Sequence, residues 1–281
     1  MKCHCCQAEN EQGARFCENC GARLEQLCPA CGAAVGAGKK FCRSCGAALT
    51  PERSQPATPQ SYTPRHLAER ILDSRAALEG ERKQVTVLFA DLKGSMELLA
   101  DRDPEEARKI LDPVLERMME AVHHYEGTVN QVMGDGIMTL FGAPLAHEDH
   151  AVRACYAALR MQGAIRQYAD DIRRVHGVEV QIRVGLNSGE VVVRSIGSDL
   201  RMDYSAIGQT THLAARMEQL ATPGTIRLTA GTLALAEGYV EVKSFGPIPV
   251  KGLAEPVEVY ELIGAGAART RLQAARARGL T

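Results

Sequence analysis

Two aspartates have the sequence context of a metal site. Asp91 and Asp135 each follow a run of mostly apolar, strand-like residues, and each is followed within three residues by glycine (FADLKGS at 89–95, MGDGI at 133–137). A strand end places a carboxylate at the edge of a sheet, and a glycine lets the backbone approach a ligand closely. Two carboxylates held together are what a pair of Mg²⁺ or Mn²⁺ ions needs to bind a nucleoside triphosphate. The two motifs therefore predict nucleotide chemistry.

Nine of the ten cysteines lie in the first 45 residues, at a spacing typical of zinc sites. Four CxxC pairs form two sets 25 residues apart, so the segment is an internal repeat. A unit of this size cannot bury a useful core, and structural zinc supplies about 10–16 kcal/mol of apparent binding free energy at neutral pH. We predict two structural Zn²⁺ ions, with a disulfide scaffold as the alternative. The predicted ligands are Cys3, Cys6, Cys17, Cys20, Cys28, Cys31, Cys42 and Cys45, and His4 or Cys5 could replace one of the first pair.

The overall composition excludes several classes of protein. The net charge of −1 and the apolar content of 45% give no indication of binding to nucleic acid or to a membrane. The sequence has no uncharged apolar run of about 18 residues and no signal-peptide core near its start, which predicts a cytoplasmic protein. The cysteine-rich segment has Phe16 and Phe41 as its only aromatic residues, so a protein partner is expected there rather than nucleic acid.

The 281 residues divide by composition into five segments. A double zinc ribbon over 1–49 is followed by a linker over 50–64 with four prolines among Ser, Thr and Gln. A coupling helix over 65–81 leads into a larger domain over 82–263. The remaining residues, 264–281, form a C-terminal tail rich in alanine and arginine.

The larger domain alternates strand and helix patterns, which predicts an α+β fold with the helices gathered on one face of a central sheet. Helices are predicted over 104–125, 148–175 and 210–220. Strands are predicted over 85–90, 128–133, 137–141, 180–186 and 190–196, the last two joined by a turn at 187–189, with peripheral strands over 225–228, 239–242 and 257–262.

Four motifs resemble the catalytic domain of class III nucleotidyl cyclases. They lie in the expected order at 89–95, 134–136, 183–191 and 203–210, and the likeness runs over about 82–262. The resemblance implies a ferredoxin-like, palm-type domain, and the chain also resembles the bacterial subgroup in which zinc ribbons precede the cyclase domain. It also implies a head-to-tail homodimer whose active sites lie at the interface.

The resemblance assigns roles to particular residues of this chain. Asp91, Asp135 and the Leu92 carbonyl would bind two Mg²⁺ or Mn²⁺ ions. The partner subunit would supply Arg216 to the transition state and His212, which replaces the usual asparagine, to the ribose. The triphosphate would be held by Lys93, Gly94, Ser95 and Met96 at a helix N-terminus, with Lys251 as a further candidate.

Base recognition departs from the family pattern. Gln131 and Ser205 stand where the family has lysine and aspartate or threonine. A glutamine carboxamide can match either an adenine or a guanine edge, whereas serine can accept a hydrogen bond from the adenine amino group. We expect an adenylate cyclase that makes 3′,5′-cyclic AMP from ATP. The alternatives are a guanylate cyclase and a non-catalytic domain that binds nucleotide to regulate a neighbour.

Overall fold

The computed structural model describes residues 8–9, 17–20, 26–27, 34–35, 43–45, 63–75, 82–93, 103–192 and 209–267. The chain divides into two compact units, Met1–Pro56 and Ala57–Thr281. In the first unit, β1 (Gln26–Leu27) pairs antiparallel with β2 (Ala34–Val35). None of the helices in the described ranges is long and apolar enough to span a bilayer.

The second unit is built on a mixed seven-stranded sheet with the strand order β4-β5-β3-β6-β7-β9-β8. Its strands are β3 (Arg82–Leu92), β4 (Thr128–Met133), β5 (Gly136–Phe141), β6 (Ile182–Val192), β7 (Ile226–Thr229), β8 (Val240–Ile248) and β9 (Val257–Ala265). Its helices are α1 (Arg65–Arg75), α2 (Pro104–His124), α3 (His150–His176), α4 (Gln209–Leu220) and α5 (Ala230–Ala236). The predicted α+β class is confirmed.

Helices cover both faces of the sheet. Alternate residues of β3 point to opposite faces: Leu88 packs in a core with α2 and α3, whereas Val87 packs with Leu67 of α1 and Ala214 of α4. Leu67 and Ala214 are fully buried, so both helices belong to the folded domain. The expectation that all helices lie on one face was wrong, because the sheet is apolar on both sides and needs two covering layers.

Strand β6 runs unbroken from Ile182 to Val192, although the sequence predicted a turn at 187–189. All three residues of that segment pair with β3, Asn187 opposite Val87 and Gly189 opposite Val85. The Asn187 amide donates to the Thr210 carbonyl at 2.9 Å, and its oxygen accepts from Thr229 at 2.7 Å. The turn prediction was wrong because these tertiary hydrogen bonds satisfy residues that otherwise favour a turn.

Local capping fixes the ends of the long helices. The Asp103 side chain accepts from the Glu105 amide at 2.8 Å and Pro104 takes the first helical position, so α2 begins there. Helix α3 ends at Gly177, which has a left-handed φ of 66°. The short helix α5, which the sequence analysis missed, is capped by the Thr229 hydroxyl.

Candidate active site

Asp91 and Asp135 meet at one end of the sheet. Asp91 is near the end of β3 and lies opposite Gly136, the first residue of β5, while Asp135 is in the turn that joins β4 to β5. The Leu92 amide donates to the Asp135 carbonyl at 3.3 Å, which ties the strand end to the turn. A Cβ atom on Gly136 would lie 2.8 Å from Asp91 Oδ1, so a glycine is needed for this close approach.

The electrostatics of Asp91 are those of a carboxylate that favours a cation. Burial raises the pKa of Asp91 above its usual value, and repulsion by Asp135 raises it further, while Arg183 opposes the rise. Two crowded carboxylates, one of them partly desolvated, form the oxygen donor set that hard divalent cations prefer. The residues present therefore fit a Mg²⁺ or Mn²⁺ site.

The structure adds two residues that the sequence analysis did not assign. Arg183 lies opposite Asp91 on β6, and its Nη2 donates to Asp91 Oδ2 at 3.0 Å. The same Nη2 lies 2.9 Å from Oε1 of Glu218 on α4. The two atoms are close enough for an ion pair, but their alignment is not that of a hydrogen bond. Arg183 is a charged residue in an otherwise apolar stretch of β6, and this charge could have marked it in the sequence as a candidate site residue.

Glu218 is the most deeply buried carboxylate of this group, since its residue is 8% exposed. Burial raises the pKa of Glu218 to about 7; Arg183 opposes the rise, and Asp91 and Asp135 add to it. Arg183 is thus a shared counter-charge for carboxylates on two different elements.

The proposed phosphate-binding residues begin directly after β3. The Lys93 amide donates to the Gln181 carbonyl at 2.9 Å, so this amide is engaged in the sheet and is removed from the donors that we expected to face a phosphate. The Lys93 side chain is exposed. Gly94, Ser95 and Met96 lie outside the described residues, and their role stays a prediction.

His212, Arg216 and Lys251 are brought together in one cleft of about 680 Å³. His212 and Arg216 are four residues apart on one face of α4, and Lys251 follows Val250 in the turn between β8 and β9. Arg216 donates to Gln219 Oε1 at 2.6 Å, which holds its guanidinium at the cleft wall. Neither Asp91 nor Asp135 lines this cleft.

Of the two predicted base-selecting residues, the structure describes Gln131. Gln131 is exposed on β4, an edge strand, beside an irregularity in the pairing with β5. Ser205 lies outside the described residues. Gln131 therefore lies on the edge strand that leads into the Asp135 turn.

Three of the eight predicted zinc ligands lie in the described part of the first unit. Cys17 is 3% exposed, whereas Cys20 and Cys45 are exposed in turns. The other five, Cys3, Cys6, Cys28, Cys31 and Cys42, lie outside it. Cys155 is fully buried in α3, and burial raises the pKa of its thiol to about 12.

Comparison with known proteins gives a consistent result for both units. Residues 79–264 match the family model described as the adenylate and guanylate cyclase catalytic domain, and residues 3–46 match the double zinc ribbon. Adenylate cyclase 1 of Rhizobium meliloti is 30% identical over 211 residues, which is 72% of this chain and 31% of that protein. The chain thus spans about a third of the length of this curated relative.

Two solved structures are similar to the second unit. The guanylyl cyclase Cya2 is 33% identical with a TM-score of 0.62, and the match covers 69% of this chain and 98% of that one. The adenylyl cyclase CyaB from P. aeruginosa is 31% identical with a TM-score of 0.63, and the match covers 68% of this chain and 98% of that one. The chain belongs to the class III adenylate and guanylate cyclase family, and its N-terminal segment is a double zinc ribbon. Class III cyclases use divalent metal ions.

Proposed function

We propose that the chain converts ATP into 3′,5′-cyclic AMP and pyrophosphate, a phosphorus–oxygen lyase reaction that serves cyclic-nucleotide signalling in the cytoplasm. The observation that carries the proposal is the convergence of Asp91 with the Asp135 turn. Burial, together with repulsion between the two side chains, raises the pKa of Asp91 and favours a bound cation. Asp91, Asp135 and the Leu92 carbonyl would hold two Mg²⁺ or Mn²⁺ ions. When bound, these ions lower the pKa of the ribose 3′-hydroxyl and neutralise charge on the phosphate oxygens.

The side chains around this site orient the substrate for in-line attack. The 3′-oxygen forms a bond to the α-phosphorus, the bond to pyrophosphate breaks, and the hydroxyl proton leaves to water. Arg183 Nη2, 3.0 Å from Asp91 Oδ2, holds that carboxylate in its orientation at the strand end. The Lys93 side chain and the amides of Gly94, Ser95 and Met96 complete the proposed phosphate contacts.

The active site is proposed to form between two copies of the chain. Arg216, His212 and Lys251 line a cleft of their own, apart from the metal carboxylates, so one subunit offers two separate half-sites. A head-to-tail homodimer brings each metal half to a cleft of the partner. There Arg216 would stabilise the transition-state charge, His212 would donate a hydrogen bond to the ribose, and Lys251 would contact the terminal phosphates.

Selection of the base is proposed to rest on Gln131 and Ser205, with ATP preferred. The alternative nucleotide is GTP, because similar structures bear the names of both a guanylyl and an adenylyl cyclase at nearly equal identity. A glutamine carboxamide can turn to meet either base. The Gln131→Lys variant restores the family residue and should raise the ratio of cyclic AMP to cyclic GMP.

The zinc ribbon is proposed to hold two Zn²⁺ ions through four CxxC pairs, with a protein as its partner. Burial of Cys17 is in keeping with a ligand in the interior of a small metal-held unit.

The test of the proposal is Mn²⁺-dependent turnover by the purified protein with either nucleotide. Asp91→Asn and Asp135→Asn should each reduce turnover at least about a hundredfold and weaken Mn²⁺ binding measured by electron paramagnetic resonance. Asp112→Asn, at an exposed site on α2, is the matched control and should retain full turnover. If the protein bound ATP in a metal-dependent way but formed no cyclic product, the proposal of an enzyme would give way to that of a nucleotide-binding regulator.

A further inference from the structure

Helix α4 takes part in both half-sites of one subunit. His212 and Arg216 face the cleft, whereas Glu218, two residues after Arg216, lies on the opposite side of the helix and faces the sheet. The Glu218 side chain is 10% exposed and touches Arg183, which in turn contacts Asp91. A single chain of charges therefore runs from the cleft helix to a metal carboxylate.

The geometry of this chain leaves little freedom to move one part without the others. Arg183 Nη2 contacts both carboxylates, at 3.0 Å to Asp91 and 2.9 Å to Glu218. A planar guanidinium held by two carboxylates cannot rotate toward one without leaving the other. Arg183 Nε is buried without a hydrogen-bond partner among the described residues, so Nη2 provides the polar contacts seen.

Backbone packing adds a second constraint on the same helix. Gly185, two residues after Arg183, lies so close to α4 that a Cβ atom there would be 2.5 Å from the Ala214 carbonyl and 2.0 Å from the Glu218 amide. The backbone of β6 at Gly185 thus packs directly against the turn of α4 that holds Ala214 and Glu218.

We propose that Glu218 and Arg183 form a positioning relay that couples the two active sites of the dimer. This inference rests on the proposed function, since it needs interfacial sites. Asp91 belongs to one active site, and the His212 and Arg216 of the same subunit belong to the other. Metal or substrate engaged at Asp91 moves Arg183, and Glu218 transmits that movement to the helix that serves the second site.

The test uses a heterodimer with one working site. One subunit carries Asp135→Asn and is called the helix donor, because it retains His212 and Arg216. The other carries Arg216→Ala and is called the metal donor, because it retains both aspartates. Asp135→Asn is chosen because it leaves the contacts among Asp91, Arg183 and Glu218 intact. Two affinity tags isolate the heterodimer, and turnover is measured at pH 8 so that Glu218 is ionised.

In the helix donor, Asp91 belongs to the silent site and supplies no group to the working one. Adding Asp91→Asn to the helix donor should therefore change turnover at the working site only if the relay carries the change through Arg183 and Glu218. The relay predicts a change of about fivefold or more, the lower range of typical coupling between sites, and no change when the helix donor also carries Glu218→Gln. No effect of Asp91→Asn, or an equal effect with and without Glu218→Gln, overturns the relay. An inactive parent heterodimer overturns the interfacial site itself.

A second readout does not depend on turnover. Without the Glu218 charge, Arg183 pairs with Asp91 alone and competes with the cation for that carboxylate. Glu218→Gln should therefore weaken Mn²⁺ binding to the full-length homodimer about fivefold, measured by electron paramagnetic resonance titration. Unchanged Mn²⁺ affinity contradicts this. If Glu218→Gln lowers the thermal midpoint so far that the protein does not fold, Arg183→Lys in the helix donor replaces it. Lysine keeps the charge without the planar fork, so the effect of Asp91→Asn in the helix donor should again be lost, and an undiminished effect overturns the relay.

Discussion

The contact between β6 and α4 makes Gly185→Ala the most direct test of how the fold positions the cleft. The new Cβ atom would lie 2.0 Å from the Glu218 amide nitrogen and 2.5 Å from the Ala214 carbonyl, whereas ordinary contact begins near 3.4 Å. Both neighbours are backbone atoms and cannot rotate away. The helix and the strand must therefore separate by about 1.4 Å, at a cost of about 1–3 kcal/mol of stability.

The same displacement should cost far more in catalysis than in stability. It moves Arg216 away from the phosphate that this residue is proposed to contact and pulls Glu218 from Arg183, and a misplacement of about 1 Å can lower a rate about a hundredfold. We expect the unfolding free energy in urea to fall by about 2 kcal/mol and kcat to fall about a hundredfold, with the protein still folded at room temperature.

Gly163→Ala is the matched control for this substitution. Gly163 is exposed in the middle of α3, and its added Cβ would meet nothing within 4 Å. The control should be more stable by about 1 kcal/mol, since alanine is the better helix former, and it should keep full turnover. A Gly185→Ala protein with wild-type stability and kcat within about twofold of wild type would refute the argument that this close packing positions α4.

Three further outcomes are expected. Burial lowers the pKa of His123 from 6.5 to about 4, so the folded state resists its protonation and stability falls as pH drops through this window. Between pH 7 and pH 5, the unfolding free energy measured in urea should fall by about 2 kcal/mol less in His123→Gln than in the wild type, and an equal fall in both proteins would contradict this. Asn187→Leu removes two hydrogen bonds, one buried and one partly buried, and should lower the unfolding free energy by about 2–3 kcal/mol, whereas an unchanged value would show that they do not stabilise the fold. Zinc measured by atomic absorption should be about two ions per chain and should fall with a Cys17→Ser substitution; a metal-free wild type would contradict the ribbon assignment.

Several regular elements of the second unit could be predicted from hydrophobic pattern alone. The helix predicted over 104–125 is α2, Pro104–His124, and the strand over 128–133 is β4. Both have a clear period and are bounded by residues that fix their ends, such as Asp103. Asp91 and Asp135 were identified for the same reason, because strand patterns precede both.

Features that depend on long-range pairing could not be predicted in this way. The partnership of Arg183 with Asp91 follows from the register of β3 against β6, and the burial of Glu218 follows from the approach of α4 to Gly185. Strand β6 looked interrupted at Asn187, because the residues that stabilise it lie 23 and 42 positions away in sequence. No local pattern contains these contacts.

The central claim is tested most directly by one reaction that contains the purified protein, Mn²⁺, and equal concentrations of ATP and GTP. Mass spectrometry would quantify cyclic AMP, cyclic GMP and pyrophosphate over time. The account predicts that pyrophosphate accumulates in an amount equal to the sum of cyclic AMP and cyclic GMP, that cyclic AMP exceeds cyclic GMP, and that Asp91→Asn abolishes both cyclic products. Nucleotides that remain unchanged, or cyclic products that form equally well in the Asp91→Asn protein, would contradict it.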